Sequence, residues 1–285
     1  MTMQGNTSCA RRWLLQAGVA LVMSAATAVC AAQATVPVKH ARGETAVPAN
    51  PAKTIVMDMA VLDSMHALGI EAMGVPAVAK LPPQLAQYAD QRYLKVGSLF
   101  EPNYEVIHAA QPQVIFVAGR SAPKYDELAR LAPTVDLTVD PKDLVGSVTR
   151  NAETLAAIYG KQPQAKEKLD ALRASISALH GKAATAGTAL IVLTTGGKMS
   201  AYGPGSRFGV IHDAFGVKPA VEGLNVSNHG QAISFEFIAQ TDPDWLFVID
   251  RDAAIGREGV SAQRMLDNDL VRPTKAWKNK RVVYL

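Results

Sequence analysis

One stretch of this chain recurs 131 residues later without a gap: residues 102–120 align on residues 233–251. Each copy carries a residue suited to cap a helix (Asn103, Ser234), a glutamate two positions on (Glu105, Glu236), and a proline seven residues after the glutamate (Pro112, Pro243). An apolar run follows (Val114–Val117, Trp245–Ile249), and each copy ends on an arginine (Arg120, Arg251). Spacing kept at every landmark predicts two lobes of one design. The proline ends a short helix, and the run after it reads as a strand buried on both faces, as in a parallel sheet. In open α/β sheets ligands collect beyond the carboxyl ends of the strands, where both arginines would lie. The expected fold is therefore α/β, with two Rossmann-like lobes facing each other across a cleft that suits an anion.

The first 34 residues hold Arg11 and Arg12, an apolar segment from Trp13 to Val29 and no acidic residue. They read as a signal peptide cleaved near Ala34, with general export favoured and a twin-arginine route as the alternative. Valine before Cys30 fits poorly with a lipoprotein signal, so a free periplasmic protein is expected. Both cysteines, Cys9 and Cys30, fall inside this segment, and the mature chain would rely on its core for stability. Removing the segment lowers the basic excess from four to two. That small surplus argues against nucleic acid or an acidic membrane surface as partner.

Thr54–Asp58 reads as the first strand, followed by a helical pattern over 61–68 that Gly69 closes. Short apolar runs at Val75, Tyr93–Val96, Val114–Val117 and Thr134–Leu137 continue an α/β alternation. Helical spacing then dominates from Leu144 to Tyr159 and from Gln164 to Leu179. A second sheet opens at Ala189–Leu193. The resulting division is an N-terminal lobe over 35–142, a helical spine over 143–184 and a C-terminal lobe over 185–285. One helical crossing implies a small closing motion and a largely preformed cleft.

Three arginines are candidates for the cleft wall: Arg120, Arg251 and Arg207, the last in a glycine-rich loop, 202–209, read as following the strand near Leu190. Arginine keeps its charge and offers a planar fork of donors, so a ring of them selects a large, delocalised anion. Solvated or salt-bridged arginines are the plain alternative. Lys124 stands a helical turn beyond Arg120, and Tyr202 opens the glycine-rich loop. His229 lies in a polar loop before the Ser234 cap and has the chemistry to complete an iron coordination sphere, although a histidine there is more often simply solvated. Glu105 and Glu236 suit the helix dipole in either copy, and their duplication also supplies two charged pegs for a dimeric partner. Phosphate-loop and nucleophile-elbow motifs are absent, and no enzyme activity is expected.

The combination of Val38–Gly43, Val96–Pro102, Ala118–Arg120, Tyr202–Gly209, His229–Glu236 and Asp250–Arg251 resembles the periplasmic iron-siderophore binding proteins of ABC importers that have a single helical spine. It is most similar to the enterochelin and petrobactin uptake group, and the resemblance runs from about Pro37 to Leu285. It implies a basic cleft of Arg120, Arg207 and Arg251 for a catecholate-type ferric complex; Lys124, for which a surface lysine is the plainer reading, and Tyr202 are further candidates for its wall from their positions alone. It also implies direct iron contact by His229 and docking of Glu105 and Glu236 onto a permease dimer. Ferric iron would enter as the siderophore complex, with no intrinsic cofactor and a monomeric protein. Haem or a corrinoid on the same scaffold is the alternative ligand. The group also carries a helix beyond the strand matching Val282–Tyr284, with a second iron-ligating tyrosine; this sequence stops at Leu285, and Tyr284 belongs to the strand.

Overall fold

The computed structural model describes residues 34–285. The expected export segment, with Cys9 and Cys30, lies outside the described residues except for Ala34. The described chain opens with a hairpin that the sequence reading did not foresee, β1 (Thr35–His40) paired antiparallel with β2 (Gly43–Pro48). Its inward residues Val38 and Val47 join the core of the first lobe. The first lobe continues through β3 (Thr54–Val56), α1 (Met59–Ala67), β4 (Gly74–Val75), β5 (Leu94–Lys95), α2 (Tyr104–Ala110), β6 (Val114–Val117), α3 (Tyr125–Ala129) and β7 (Thr134–Asp136). The five strands from β3 to β7 form one parallel sheet in the order β5-β4-β3-β6-β7.

Strand pleating assigns alternate residues to opposite faces. In β6, Val114 and Phe116 enter one core while Ile115 and Val117 enter the other, and β3 divides in the same way through Val56 and Ile55. All four β6 residues are fully buried, as the apolar run predicts.

The expected spine is two helices. α4 (Leu144–Tyr159) starts at Asp143, whose carboxylate accepts from the Gly146 amide at 3.1 Å, and ends at Gly160 with φ 66°. α4 belongs to the first lobe: Leu155, Ala156, Ile158 and Tyr159 enter its core, and the Tyr159 hydroxyl lies 2.5 Å from Thr54 Oγ1. α5 (Gln162–Ala183) begins with a proline in its first turn. Its Ala165 packs into the core of the first sheet and its Ala183 into a core of the second. Twenty-two residues at about 1.5 Å each make a connection roughly 33 Å long.

The second lobe runs through β8 (Thr188–Thr195), β9 (Lys198–Tyr202), α6 (Val210–Asp213), β10 (Lys218–Pro219), β11 (Gln231–Ile233), α7 (Phe235–Thr241), β12 (Trp245–Asp250), α8 (Arg251–Ala254), α9 (Ala262–Leu266), α10 (Lys275–Lys278) and β13 (Val282–Tyr284). Its sheet has the order β11-β9-β8-β12-β13, with β10 paired to the start of β8, and it is mixed because β9 is antiparallel to both neighbours.

The repeat is visible in the backbone. α2 and α7 each have seven residues, capped by Asn103 and Ser234 side chains that accept from the Val106 and Phe237 amides. Each helix ends in a left-handed residue just before the proline, Gln111 at φ 50° and Asp242 at φ 43°. The expectation of a doubly buried strand fails in the second copy. Leu246 and Val248 of β12 are buried, but Trp245, Phe247 and Ile249 are only half-buried. On that face the cover is the carboxyl end of α5, the four-residue α6 and nearby loops, which shield less than the helices of the first lobe.

Candidate ligand-binding cleft

Arg120 leaves the carboxyl end of β6 through Gly119, whose φ of 48° suits glycine and turns the chain sharply. A chain of polar contacts fixes that turn. The Gly119 amide donates to Thr138 Oγ1 at 3.0 Å, Thr138 Oγ1 donates to the Asp136 carboxylate at 2.5 Å, and Asp136 accepts from Arg42 Nε at 3.3 Å. Arg42, in the turn of the β1–β2 hairpin, also donates to the Ala122 carbonyl at 3.1 Å, so the hairpin braces both sides of Arg120. The Arg120 guanidinium lies 5.5 Å from the Phe100 ring centroid, and that phenylalanine is 58% exposed.

Arg251 is the first residue of α8, directly after β12. Its guanidinium donates to Thr195 Oγ1 at 3.4 Å, and Thr195 Oγ1 donates in turn to the Asp252 carboxylate at 3.0 Å. The Gly196 amide reaches the other Asp252 oxygen at 2.6 Å. That backbone bond, with the Thr195 hydroxyl and the Arg257 and Arg251 charges, holds the Asp252 carboxyl below the usual range. Asp252 thereby ties the β8–β9 turn to the helix that carries Arg251.

Arg207 does not follow the strand near Leu190 directly, as its sequence position suggested. Its loop follows β9, which runs opposite to β8, and Tyr202 stands across from Ile191 rather than from the carboxyl end of β8. The hairpin returns the chain part-way down the sheet before the loop begins. Arg207 nevertheless joins the other two electrostatically. Partial desolvation of its guanidinium, which lies 4.6 Å from the Phe208 ring centroid, lowers its pKa; Tyr202 acts in the opposite sense, and the fields of Arg120 and Arg251 lower it further. The residue as a whole remains exposed, so the charge stays in place. Among the described residues none of the three guanidiniums makes an ion pair. Three positive charges outside any ion pair, one from the first lobe and two from the second, thus meet at the cleft, with Arg120 and Arg251 acting on Arg207 and also on the Asp58 and Asp252 carboxylates respectively.

The other candidate residues fall differently. Lys124 is ion-paired with Glu101 at 3.1 Å, which offsets its charge and raises its pKa. The Tyr202 ring is buried in the core against Phe208 at 4.8 Å; burial raises the phenol, while Arg207 and Arg251 act on it in the opposite sense. Its ring is thus part of the buried wall, within the fields of Arg207 and Arg251. His229 is exposed in the loop before β11. Gln231 pairs with Ala201, and a side chain at Gly230 would collide with the Tyr202 ring, which places His229 beside the start of the Arg207 loop. Glu105 and Glu236 are both exposed in the first turns of α2 and α7. Tyr284 pairs opposite Val248 in β13, as read. No three His, Cys, Asp or Glu side chains among the described residues are grouped to hold a bare metal ion. No described helix is long and apolar enough to cross a membrane.

Contacts between the lobes were not legible in the sequence. Lys80, in the loop after β4, donates to the Ala253 carbonyl at the end of α8 at 2.9 Å. A Cβ at Gly205 would meet Lys142 Cγ at 3.8 Å, so the Arg207 loop passes close to the base of the spine.

A profile of the periplasmic binding protein family matches residues 55–285. The chain belongs to the periplasmic binding protein family. This is a family of binding proteins, not of enzymes. The petrobactin-binding protein of Bacillus subtilis is 37% identical, covering 94% of this chain and 89% of that protein. Its crystal structure superposes with a TM-score of 0.85 at 38% identity, covering 88% of this chain and 90% of that one. The ferric-anguibactin-binding protein of Vibrio anguillarum is 32% identical over 87% of this chain and 79% of its own length. The periplasmic catecholate-siderophore binding protein of Vibrio cholerae gives a TM-score of 0.84 at 30% identity, covering 88% of this chain and 91% of that one.

Proposed function

We propose that this protein is the substrate-binding component of an ABC importer, capturing an anionic ferric siderophore of catecholate type in the periplasm and delivering it to a permease dimer. The observation that carries the reading is the field of Arg120 and Arg251 on Arg207, drawn from both lobes, with none of the three guanidiniums in an ion pair among the described residues. Converging like charges disfavour one another in the empty protein. They become favourable when a delocalised anion enters, because each guanidinium then gains a charge-assisted hydrogen bond. Exposed Phe100, beside Arg120, adds an aromatic face at the same rim.

The reading divides the mature, monomeric chain, after cleavage near Ala34, into a first lobe over 35–142 extended by α4, a spine that α5 makes within the expected 143–184, and a second lobe over 185–285. His229 supplies an inner-sphere ligand when the chelate leaves iron sites open. Tyr202 and Lys124 complete the wall, Lys124 after exchanging Glu101 for ligand oxygen. Glu105 and Glu236, exposed at equivalent places of the two copies, engage the permease. The names of the relatives support a ferric chelate as cargo, with iron entering as part of the substrate. Fluorescence-quenching titration of the mature protein against ferric catecholate, ferric hydroxamate, haem and cobalamin tests the assignment. The anionic catecholate complex should bind tightest, and preference for haem or cobalamin would overturn it.

A further inference from the structure

A cavity of about 140 Å³ sits at the carboxyl ends of β3, β6 and β7, between α1 and α4. Its walls are largely apolar, from Val61, Leu137, Val148 and Leu155, and Gly119, the neighbour of Arg120, contributes no side chain to fill it. A dry cavity of roughly 150 Å³ holds one benzene ring, so this space suits a ring or a short alkyl arm.

The polar groups in the wall are nearly all committed. Ser64 Oγ donates to the Ala60 carbonyl at 2.9 Å, Asn151 Nδ2 to the Leu137 carbonyl at 2.8 Å, and Thr138 Oγ1 serves Asp136 and the Gly119 amide. Asp58 is the exception. Its Oδ1 accepts from the Ala60 and Val61 amides at 2.8 and 3.2 Å, capping α1. Its Oδ2 has no partner among the described residues, and a Cβ at Gly119 would stand 3.6 Å from it.

A carboxylate oxygen can only accept, so the complementary group is an N–H donor, and a charged amine makes the stronger bond. Burial raises the Asp58 carboxyl above its ordinary value, and the Val61 and Ala60 amide bonds and the Arg120 charge only partly draw it back. The nearby Asp136 carboxylate adds to the negative side of the balance. The cavity is thus opposite in sign to the arginine rim next to it.

We propose that the cavity beside Asp58 is an accessory subsite for an amine-bearing alkyl arm of the chelate, seated while the anionic iron core rests on the three arginines. The subsite rests on the ferric-siderophore reading and adds orientation to it: the two ends of the ligand are sorted by charge.

The test uses ferric complexes of two synthetic bis-catecholamides that differ only in the centre of the linker, a secondary amine in one and a methylene in the other. The wild-type protein should prefer the amine-linked complex by at least about 12-fold, the lower bound for one charge-assisted hydrogen bond. Asp58→Asn keeps a side chain equally able to cap α1. It should erase that preference while leaving the methylene-linked complex within about twofold of wild type. Ser64→Leu, which fills the cavity without touching the cap, should erase it too, and decides the matter if Asp58→Asn does not fold. Equal binding of the two complexes by the wild-type protein would sink the subsite while the ferric-chelate reading stands. So would equal losses for both complexes in the variants. Failure of both complexes to bind wild-type protein would overturn the subsite and the ferric-chelate reading together.

Discussion

Arg207→Gln separates the two jobs a charged side chain can do, holding the fold or holding the ligand. Arg207 makes no ion pair among the described residues, and its recorded contact is the Phe208 ring at 4.6 Å. Losing an exposed cation–π contact costs about 0.5–1 kcal/mol. Relief of repulsion from Arg120 and Arg251 works in the other direction, so the empty variant should melt close to wild type. With a ferric tris-catecholate anion bound, the lost charge-assisted hydrogen bond is worth about 1.5–3 kcal/mol, roughly a 12- to 160-fold rise in Kd. Ligand at a thousand times the wild-type Kd stabilises the folded state by about 4.1 kcal/mol, and a variant weakened fiftyfold would keep about 1.8 kcal/mol of that. For a chain of this size the ligand-induced rise in Tm should shrink by roughly 5–9 °C. Differential scanning calorimetry with and without ligand, at low and high salt, reads both quantities, and salt should narrow the gap. The reasoning fails if the empty variant loses as much Tm as the ligand-induced rise, or if a neutral ferric hydroxamate suffers the same loss.

Four further outcomes are expected. His229→Ala should weaken a tetradentate ferric complex or change its charge-transfer absorption while sparing a hexadentate one; equal responses would make His229 only part of the wall. Charge reversal of Glu105 or Glu236 to lysine should abolish iron uptake in cells with ligand affinity intact, and normal uptake would assign both residues to helix capping alone. Asp252 has a folded-state pKa below its unfolded value, so its stabilisation is present above about pH 4 and disappears as pH falls through the lower folded value. The Tm difference between wild type and Asp252→Asn should therefore close on acidification below about pH 4, and a gap that is constant from neutral to strongly acidic pH contradicts this. Tyr159→Phe removes the buried 2.5 Å contact with Thr54 that ties α4 to the first sheet, and should cost about 1 kcal/mol in urea unfolding; no loss would mean that packing alone holds that junction.

The features legible in the sequence were those set by local chemistry. Asn103 and Ser234 cap the helices they were expected to cap, because a short polar side chain before a helical run has few other ways to satisfy the first amides. The apolar runs became strands within a residue or two of their expected ends, and the spacing of Leu144–Tyr159 matches α4 at both ends. Arg120 and Arg251 follow their strands as the repeat requires. The β1–β2 hairpin escaped notice because its alternation is short and only Val38 and Val47 of its residues are buried. Its turn residue Arg42, which braces the Arg120 segment, carries no local sign of that role, since its partner Asp136 is 94 residues away.

Repetition in the chain implies two similar lobes whatever their arrangement, because helix caps, breaks and strand runs depend on neighbours in sequence. Strand direction does not. A glycine pair, Gly196-Gly197, turned β9 back along β8, so Arg207 reached its place by a route that local reading had wrong. The partly exposed face of β12, the Lys80 contact across the lobes and the free oxygen of Asp58 likewise arise where distant segments meet. Residue type set which groups could carry charge or cap a helix. Only the packing of the two sheets about α5 decided which charges face one another across the cleft, because Coulomb interactions and burial depend on distance in space.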